Sequence, residues 1–265
     1  MTVPGFDISQ LRRRAALVRL ADLLEVPIDR LAYLDDVPEA QLCAFYEQVA
    51  GALAQENADV VARLAAASAL LPVSIMAKIA QRSRSALFVA RLAGAVDRSR
   101  AVKVARRLPE SQIAAIARHL HARDAARVVG ELPDPMVTAV AVALSDKEDW
   151  ATLARFVAVL PHEPAVRATA ELGDTALLRV AALISEADTL DRALAATPVE
   201  RVAPLLHAVV ADDLWPELAI VLPRMPEAHR RALDAAIAGS DETVAARYAA
   251  IAGLPKFVDQ TEETS

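Results

Sequence analysis

Apolar residues recur along most of this chain at intervals of three and four residues. Read as i, i+3, i+4 and i+7, this spacing places the apolar side chains on one side of an α-helix. Five clear sets lie at 101–108, 113–120, 125–132, 150–157 and 177–184. Helices of about 10 to 14 residues have little stability alone in water and must bury that side against neighbours. The pattern therefore predicts short amphipathic helices that pack on one another.

Leu-Pro steps mark the expected helix boundaries, since proline suits the first turn of a helix and ends the helix before it. The six steps have their prolines at Pro72, Pro109, Pro133, Pro161, Pro223 and Pro255. Candidate helix starts come from side chains that can accept a backbone N–H. They are Asp97, Asp124, Asp174 and Ser145, the last with the capping-box partner Glu148. Successive boundaries predict pairs of short helices repeated along the chain.

The region before residue 96 has longer amphipathic segments, at 9–25 and at 38–68, the second interrupted near Asn57. We therefore expect an N-terminal helical lobe over 1–95 and a short-helix repeat region over 96–254 packed against it. The end of the chain, 255–265, is acidic and polar, and we expect it to be disordered because it has little to bury.

Composition supports helix over strand. The chain of 265 residues contains 59 alanines and only 7 glycines, and alanine has the lowest cost of any residue in a helix. We predict an all-α fold: a stack of short antiparallel helix pairs, of α-solenoid or superhelical type, joined to the N-terminal helical lobe.

One stretch of this repeat region resembles a known family. It has a leucine-proline-acid opening at Leu108-Pro-Glu110, a short apolar helix, and a return helix that reads Arg-Asp-Ala-Ala-Arg-Val-Val-Gly-Glu-Leu-Pro over 123–133. Over about 97–172 this sequence resembles the helical repeats of the N-terminal cytoplasmic domain of MgtE-type magnesium transporters. The resemblance implies a stack of short helices. It implies neither transport nor any magnesium-binding residue in this chain.

No catalytic signature emerges from the motifs. The seven glycines are far apart, so neither a dinucleotide fingerprint nor a phosphate-binding loop can form. His119 and His121 are two residues apart, which directs them to different sides of a helix, and no His-Glu-x-x-His motif occurs. We expect a non-enzymatic protein without a cofactor or metal site.

Other features favour a cytoplasmic protein. Cys43 is the only cysteine and cannot form an internal disulfide. The N-terminus lacks the basic and apolar stretches of a secretory signal. The longest uncharged segment, 64–77, contains Pro72 and is shorter than the roughly 20 residues of a membrane span. We therefore expect no transmembrane helix.

Charge is unevenly distributed along the chain. Residues 81–128 contain eleven basic and three acidic residues, a net charge of +8, whereas 129–265 has a net charge of −11. The candidate anion-binding residues are Arg100, Lys103, Arg107, Arg118, His121 and Arg123. They form either a solvated face or a docking surface for an acidic protein or an anionic lipid head group. Nucleic acid ranks last, because the pI is about 5.5 and no aromatic platform accompanies the arginines.

Two segments, 136–144 and 202–210, are apolar nearly all round and belong either in the core or in a ligand groove. The preferred function is a non-enzymatic interaction or scaffold module that binds an acidic protein through an exposed helical face. The alternative is a carrier of a lipid-like molecule with an acidic head group, lined by Met136, Val140 and Leu144. The pattern specifies neither the partner nor the oligomeric state.

Overall fold

The computed structural model describes residues 8–24, 26–56, 58–120, 122–160 and 162–253. Over these residues the protein is all α and contains no β-strand, as the periodicity and composition predicted. The described residues form two compact units that divide between residues 172 and 173. The boundary expected between 95 and 96 lies inside the first unit. The acidic end at 255–265 lies outside the described residues.

Eleven α-helices of the described residues build the first unit. They are α1 (Ile8–Leu24), α2 (Glu39–Glu56), α3 (Ala58–Ser68), α4 (Val73–Arg82), α5 (Ala86–Ala95), α6 (Arg98–Ala105), α7 (Glu110–Ala117), α8 (Ala122–Val129), α9 (Asp134–Ser145), α10 (Trp150–Val159) and α11 (His162–Ala170). A 3₁₀ helix at Ile28–Leu34 connects α1 to α2. An interruption was predicted near Asn57, and residue 57, between α2 and α3, lies outside the described residues.

Helices after α2 stack in two rows, because each packs against the next helix but one. One row is α3, α5, α7, α9 and α11, and the other is α4, α6, α8 and α10. Helix α1 packs on α2 and also contacts α10. Its buried residues Leu17 and Leu20 meet Leu31 and Leu42 in a small separate core.

Helix boundaries follow the prolines closely. Pro72, Pro109 and Pro133 each directly precede a helix, and Pro223 follows the end of α15 (Trp215–Val221). The other two prolines of the Leu-Pro steps, at 161 and 255, lie outside the described residues.

Of the predicted N-caps, Asp97 is confirmed, since its side chain accepts the backbone N–H of Arg100 at 3.2 Å. The capping box at Ser145 is wrong. Ser145 is the last residue of α9, and Asp149 caps α10 by accepting the N–H of Thr152.

Two further predicted caps are also wrong. Asp124 lies within the first turn of α8, and Asp174 is the first residue of α12 (Asp174–Leu183), after the N-cap Gly173. Acidic residues in a first turn complement the positive end of the helix without being the cap, which explains the resemblance to a cap in sequence.

The second unit contains six α-helices in its described residues. Besides α12 and α15 they are α13 (Ala187–Ala196), α14 (Val202–Ala211), α16 (Glu227–Ala238) and α17 (Glu242–Ala252). Helices α12, α14 and α16 pack in a row, and α15 packs on α12 and α17. The core between them includes Val209, Leu214, Trp215 and Leu233.

Among the described residues, no single helix is long and apolar enough to span a membrane. Helix α13 and the segment Val199–Ala211 reach the required length and composition only as a pair, which is bent by 92°.

Candidate interaction surface

Arg100, predicted to face a partner, directs its guanidinium into the protein. Its Nη2 atom donates to the carbonyl oxygen of Ser68 at 2.8 Å and to that of Leu71, and it lies 3.3 Å from the Sδ atom of Met76. These acceptors belong to the end of α3, the connection that follows it, and α4. Arg100 therefore ties α6 to the α3–α4 connection.

Arg118 is also engaged within the first unit. Its Nη2 atom lies 2.7 Å from Asp22 Oδ2 on α1, and its Nε atom lies 2.7 Å from Asp149 Oδ2. Asp149 is buried. Burial raises the pKa of Asp22, the positive charge of Arg118 lowers it, and the charge of Asp149 raises it further. Arg118 thus balances two carboxylates where α1 meets the start of α10.

Arg127 repeats the arrangement of Arg100 one pair of helices later. From α8 its guanidinium donates to the carbonyl oxygens of Ala93 at 3.1 Å and Gly94 at 2.7 Å, at the end of α5. Space is tight here: a Cβ atom on Gly94 would lie 2.7 Å from Asp124 Oδ2. The acceptors are the last-turn carbonyls that a helix leaves without internal partners.

Arg155 on α10 continues the series by donating to the carbonyl oxygens of Ala117 and Arg118 at the end of α7. Burial lowers the pKa of Arg155, as does the nearby charge of Arg19. The spacing of Arg100, Arg127 and Arg155, 27 and then 28 residues, is the signal in the sequence that could have revealed this structural role.

Besides Arg84, in the connection after α4, and Arg98, which pairs with Glu131, five exposed cations lie on α4 and at the end of α6. They are Lys78, Arg82, Lys103, Arg106 and Arg107, and we call them the basic face. The Nε2 atom of Gln81 donates to the carbonyl oxygen of Arg107 at 2.8 Å, which brings the ends of α4 and α6 together. None of the five cations forms an ion pair with a carboxylate of the described residues.

The basic face includes two of the six residues predicted from sequence, Lys103 and Arg107. Arg100 and Arg118 are half-buried and engaged as described. His121 lies outside the described residues, and so does the side chain of Arg123. Sequence reasoning missed Lys78, Arg82 and Arg106. The signal for Lys78 and Arg82 was their position on α4 opposite the small apolar residues that α4 buries.

Two isoleucines adjoin the basic face. Ile75 and Ile79 on α4 are 45% and 51% exposed. With Lys78 and Arg82 they occupy positions i, i+3, i+4 and i+7, which share one side of a helix. Leu70, in the connection before α4, is 88% exposed. This side of α4 therefore presents apolar and basic groups to solvent together.

The residues of the carrier alternative lie on α9. Val140 and Leu144 are fully buried, and Met136 is half-buried. Helix α9 packs against α7, α10 and α11, so it lies within its row. These are the surroundings of core side chains, and no observation on α9 points to a bound lipid.

The described residues offer no cluster of metal-ligating side chains. They contain no group of three or more His, Cys, Asp or Glu side chains that could hold a metal ion. Burial raises the pKa of the half-buried Cys43 thiol, so the reactive thiolate is disfavoured. The buried His229 has its Nε2 atom 2.7 Å from the carbonyl oxygen of Thr197, a contact at the end of α13.

No protein-family model matches this chain, and searches of curated proteins and of solved structures found no match either.

Proposed function

We propose that this protein is a non-enzymatic interaction module that binds an acidic protein through the basic face. The observation that carries the proposal is the contrast between two sets of cations. Arg100, Arg127 and Arg155 donate to backbone carbonyl oxygens of the first unit, and Arg118 forms ion pairs with two of its carboxylates. The basic face gathers five others at adjoining helix ends without an ion pair among the described residues.

Such a cluster has a cost that a partner removes. Like charges on neighbouring helix ends repel one another, and part of that repulsion is offset by the negative ends of the helix dipoles of α4 and α6. An acidic partner lowers the remaining repulsion, and complementary charges increase the rate and the specificity of association. Because the cations are exposed, the interaction is expected to weaken as salt is added.

An acidic protein fits this surface better than nucleic acid does. Ile75 and Ile79 lie among the cations of α4, whereas single-stranded nucleic acids stack their bases on aromatic side chains. Neither α4 nor α6 contains an aromatic residue. Mixed aliphatic and cationic groups are suited to a protein surface that offers aliphatic side chains and carboxylates.

Fluorescence anisotropy with a labelled acidic peptide tests the proposal. The probe is an 18-residue peptide rich in glutamate, compared with the same peptide carrying glutamine in place of glutamate. We expect the glutamate peptide to bind and the glutamine peptide not to bind. The affinity should fall steeply between about 50 and about 300 mM NaCl, because salt screens the exposed charges.

Charge reversal locates the binding. The test variant is Lys78→Glu with Arg82→Glu, and the matched control is Arg30→Glu with Lys147→Glu, two exposed cations outside the basic face. Both variants change the net charge equally. We expect at least a tenfold loss of affinity for the test variant and less than a twofold loss for the control. Equal losses, or binding insensitive to salt, would contradict the proposal.

A further inference from the structure

We infer that the acidic partner binds as an amphipathic α-helix laid along α4, with its apolar stripe on Ile75 and Ile79 and its carboxylates on Lys78 and Arg82. This inference rests on the function proposed above and specifies the form of the partner.

The geometry of α4 provides the first step. Its packed side contains Ala77 and Ala80, which are buried. Ile75, Lys78, Ile79 and Arg82 lie on the opposite side and are all exposed. Apolar residues on two opposite sides of a helix are typical of a helix that packs between two other helices. In the protein itself, the side with the isoleucines faces solvent.

The position of α4 in its row provides the second step. Helix α4 is the first member of the row that continues with α6, α8 and α10. Among the described side chains of this row, only those of α4 include large apolar groups exposed by more than a third. The isoleucines are therefore a feature of the row's first helix and not of the repeat. A helix from a partner would occupy the place of a preceding member.

Charge and shape together select the class of occupant. Isoleucines at i and i+4 form a ridge that fits the groove between side chains of another helix. Lys78 and Arg82 alternate with them, and Lys103 on α6 and Arg106 directly after α6 lie toward the same helix ends. Carboxylates flanking an apolar stripe would meet these cations, as flanking charges do in paired helices. Two isoleucines offer little area for insertion into a bilayer, which favours a protein helix over a membrane.

Three synthetic peptides test the inference with the full-length protein. The first is an 18-residue helix-forming sequence with a leucine stripe at i, i+4, i+7 and i+11, flanked by glutamates. The second keeps the glutamates and replaces the leucines by glutamine. The third keeps the leucines and replaces the glutamates by glutamine. We expect the first peptide to bind at least tenfold more tightly than either of the others and to gain helical circular dichroism on binding.

A protein variant locates the apolar contact. Ile75→Ser with Ile79→Ser is expected to bind the first peptide at least tenfold more weakly while keeping its affinity for the second. The matched control is Val142→Ser with Val210→Ser, which changes two exposed valines on other helices. The control is expected to bind all three peptides as the wild type does. Thermal unfolding by circular dichroism verifies that both variants are folded.

Each other outcome has a defined meaning. Equal affinity for the first and second peptides would overturn the helix inference and leave the proposed acidic partner standing. Failure of both to bind would overturn the inference and the proposed function together. Two more results would overturn the inference. In the first, the wild type sediments with vesicles of phosphatidylcholine and phosphatidylserine but the Ile75→Ser, Ile79→Ser variant does not. In the second, sedimentation velocity shows that the wild type self-associates and that this variant does not. In either case the isoleucine face has another occupant.

Discussion

The Nε atom of Arg118 lies 2.7 Å from the Oδ2 atom of Asp149, and the same guanidinium reaches Asp22 at 2.7 Å. Asp149 also accepts the N–H of Thr152 as the N-cap of α10. A single arginine thus compensates a buried carboxylate that begins one helix and a half-buried carboxylate on another. The two ion pairs of Arg118 link α1 to the row that contains α10, so the packing of the N-terminal helix on this row depends on the charge of Arg118.

Removal of Arg118 is expected to destabilise the protein. In Arg118→Met the Asp149 carboxylate remains buried without its cation. Loss of one partner of a buried pair lowers the free energy of unfolding by about 3 kcal/mol, and the partial exposure of the arginine reduces this loss. The control is Arg98→Met, whose pair with Glu131 is about half exposed; it should cost less than about 1 kcal/mol. Urea unfolding monitored by circular dichroism measures both. Similar losses in the two variants would contradict this account of Arg118.

Arg100 and Arg107 were predicted to share one docking face, and the structure now predicts different behaviour for them. Arg100→Met removes donors to the carbonyl oxygens of Ser68 and Leu71, and hydrogen bonds from a charged group contribute about 1.5 to 3 kcal/mol. Arg107→Met changes an exposed side chain and should alter stability by less than about 0.5 kcal/mol. Denaturation midpoints would separate the two. Binding of the acidic peptide should instead weaken more in Arg107→Met than in Arg100→Met, because Arg107 belongs to the basic face.

Much of the fold was predictable because its signals are local. The prolines at 72, 109 and 133 start helices as expected, since proline fixes its own φ and restricts the residue before it. These features depend on a few neighbouring residues, and no knowledge of tertiary contacts is needed to recognise them.

The candidate surface was harder to predict for two physical reasons. A helical wheel gives the direction of each Cα–Cβ bond, but the long side chain of Arg100 carries its charge well away from that direction, to the end of α3. Periodicity also marks Ile75 and Ile79 simply as apolar. Their exposure follows from the place of α4 at the start of its row, which only the three-dimensional arrangement reveals.

Tyr248 is expected to make the stability of the second unit sensitive to alkaline pH. Its hydroxyl donates to Asp234 Oδ1 at 2.5 Å, and burial together with this carboxylate raises the pKa of Tyr248 to about 12, from an ordinary value of 10.0. The folded state therefore holds the proton more tightly than the unfolded chain does. This stabilisation is fully present below pH 10 and is lost as the pH rises toward 12.

The comparison of wild type with Tyr248→Phe tests this sign. Between about pH 9 and about pH 11.5 the thermal midpoint of the wild type should fall further than that of the variant, which has no proton to lose at this position. Ultraviolet absorbance at the tyrosinate band provides an independent measurement, in which the variant should lack one ionisation near pH 12. Parallel curves for the two proteins would show that the Asp234 contact does not hold the proton.

Two valines of α9 give the sharpest test of whether that helix is core or lines a ligand groove. Val140 is 1% exposed and Val142 is 37% exposed. Val140→Asp buries a carboxylate without a partner and should cost about 4 kcal/mol or more, whereas Val142→Asp places the same group in water and should cost less than about 1 kcal/mol. The two changes share a helix and a residue type, so the helix propensity of aspartate largely cancels between them. Urea unfolding with comparison of the slopes measures both, because an unchanged slope shows that the same surface is exposed on unfolding.

A Val140→Asp protein with a midpoint near that of the wild type would mean that water or a ligand already reaches this side chain. Organic extraction and mass spectrometry of the wild type would then identify any lipid retained beside Met136, Val140 and Leu144.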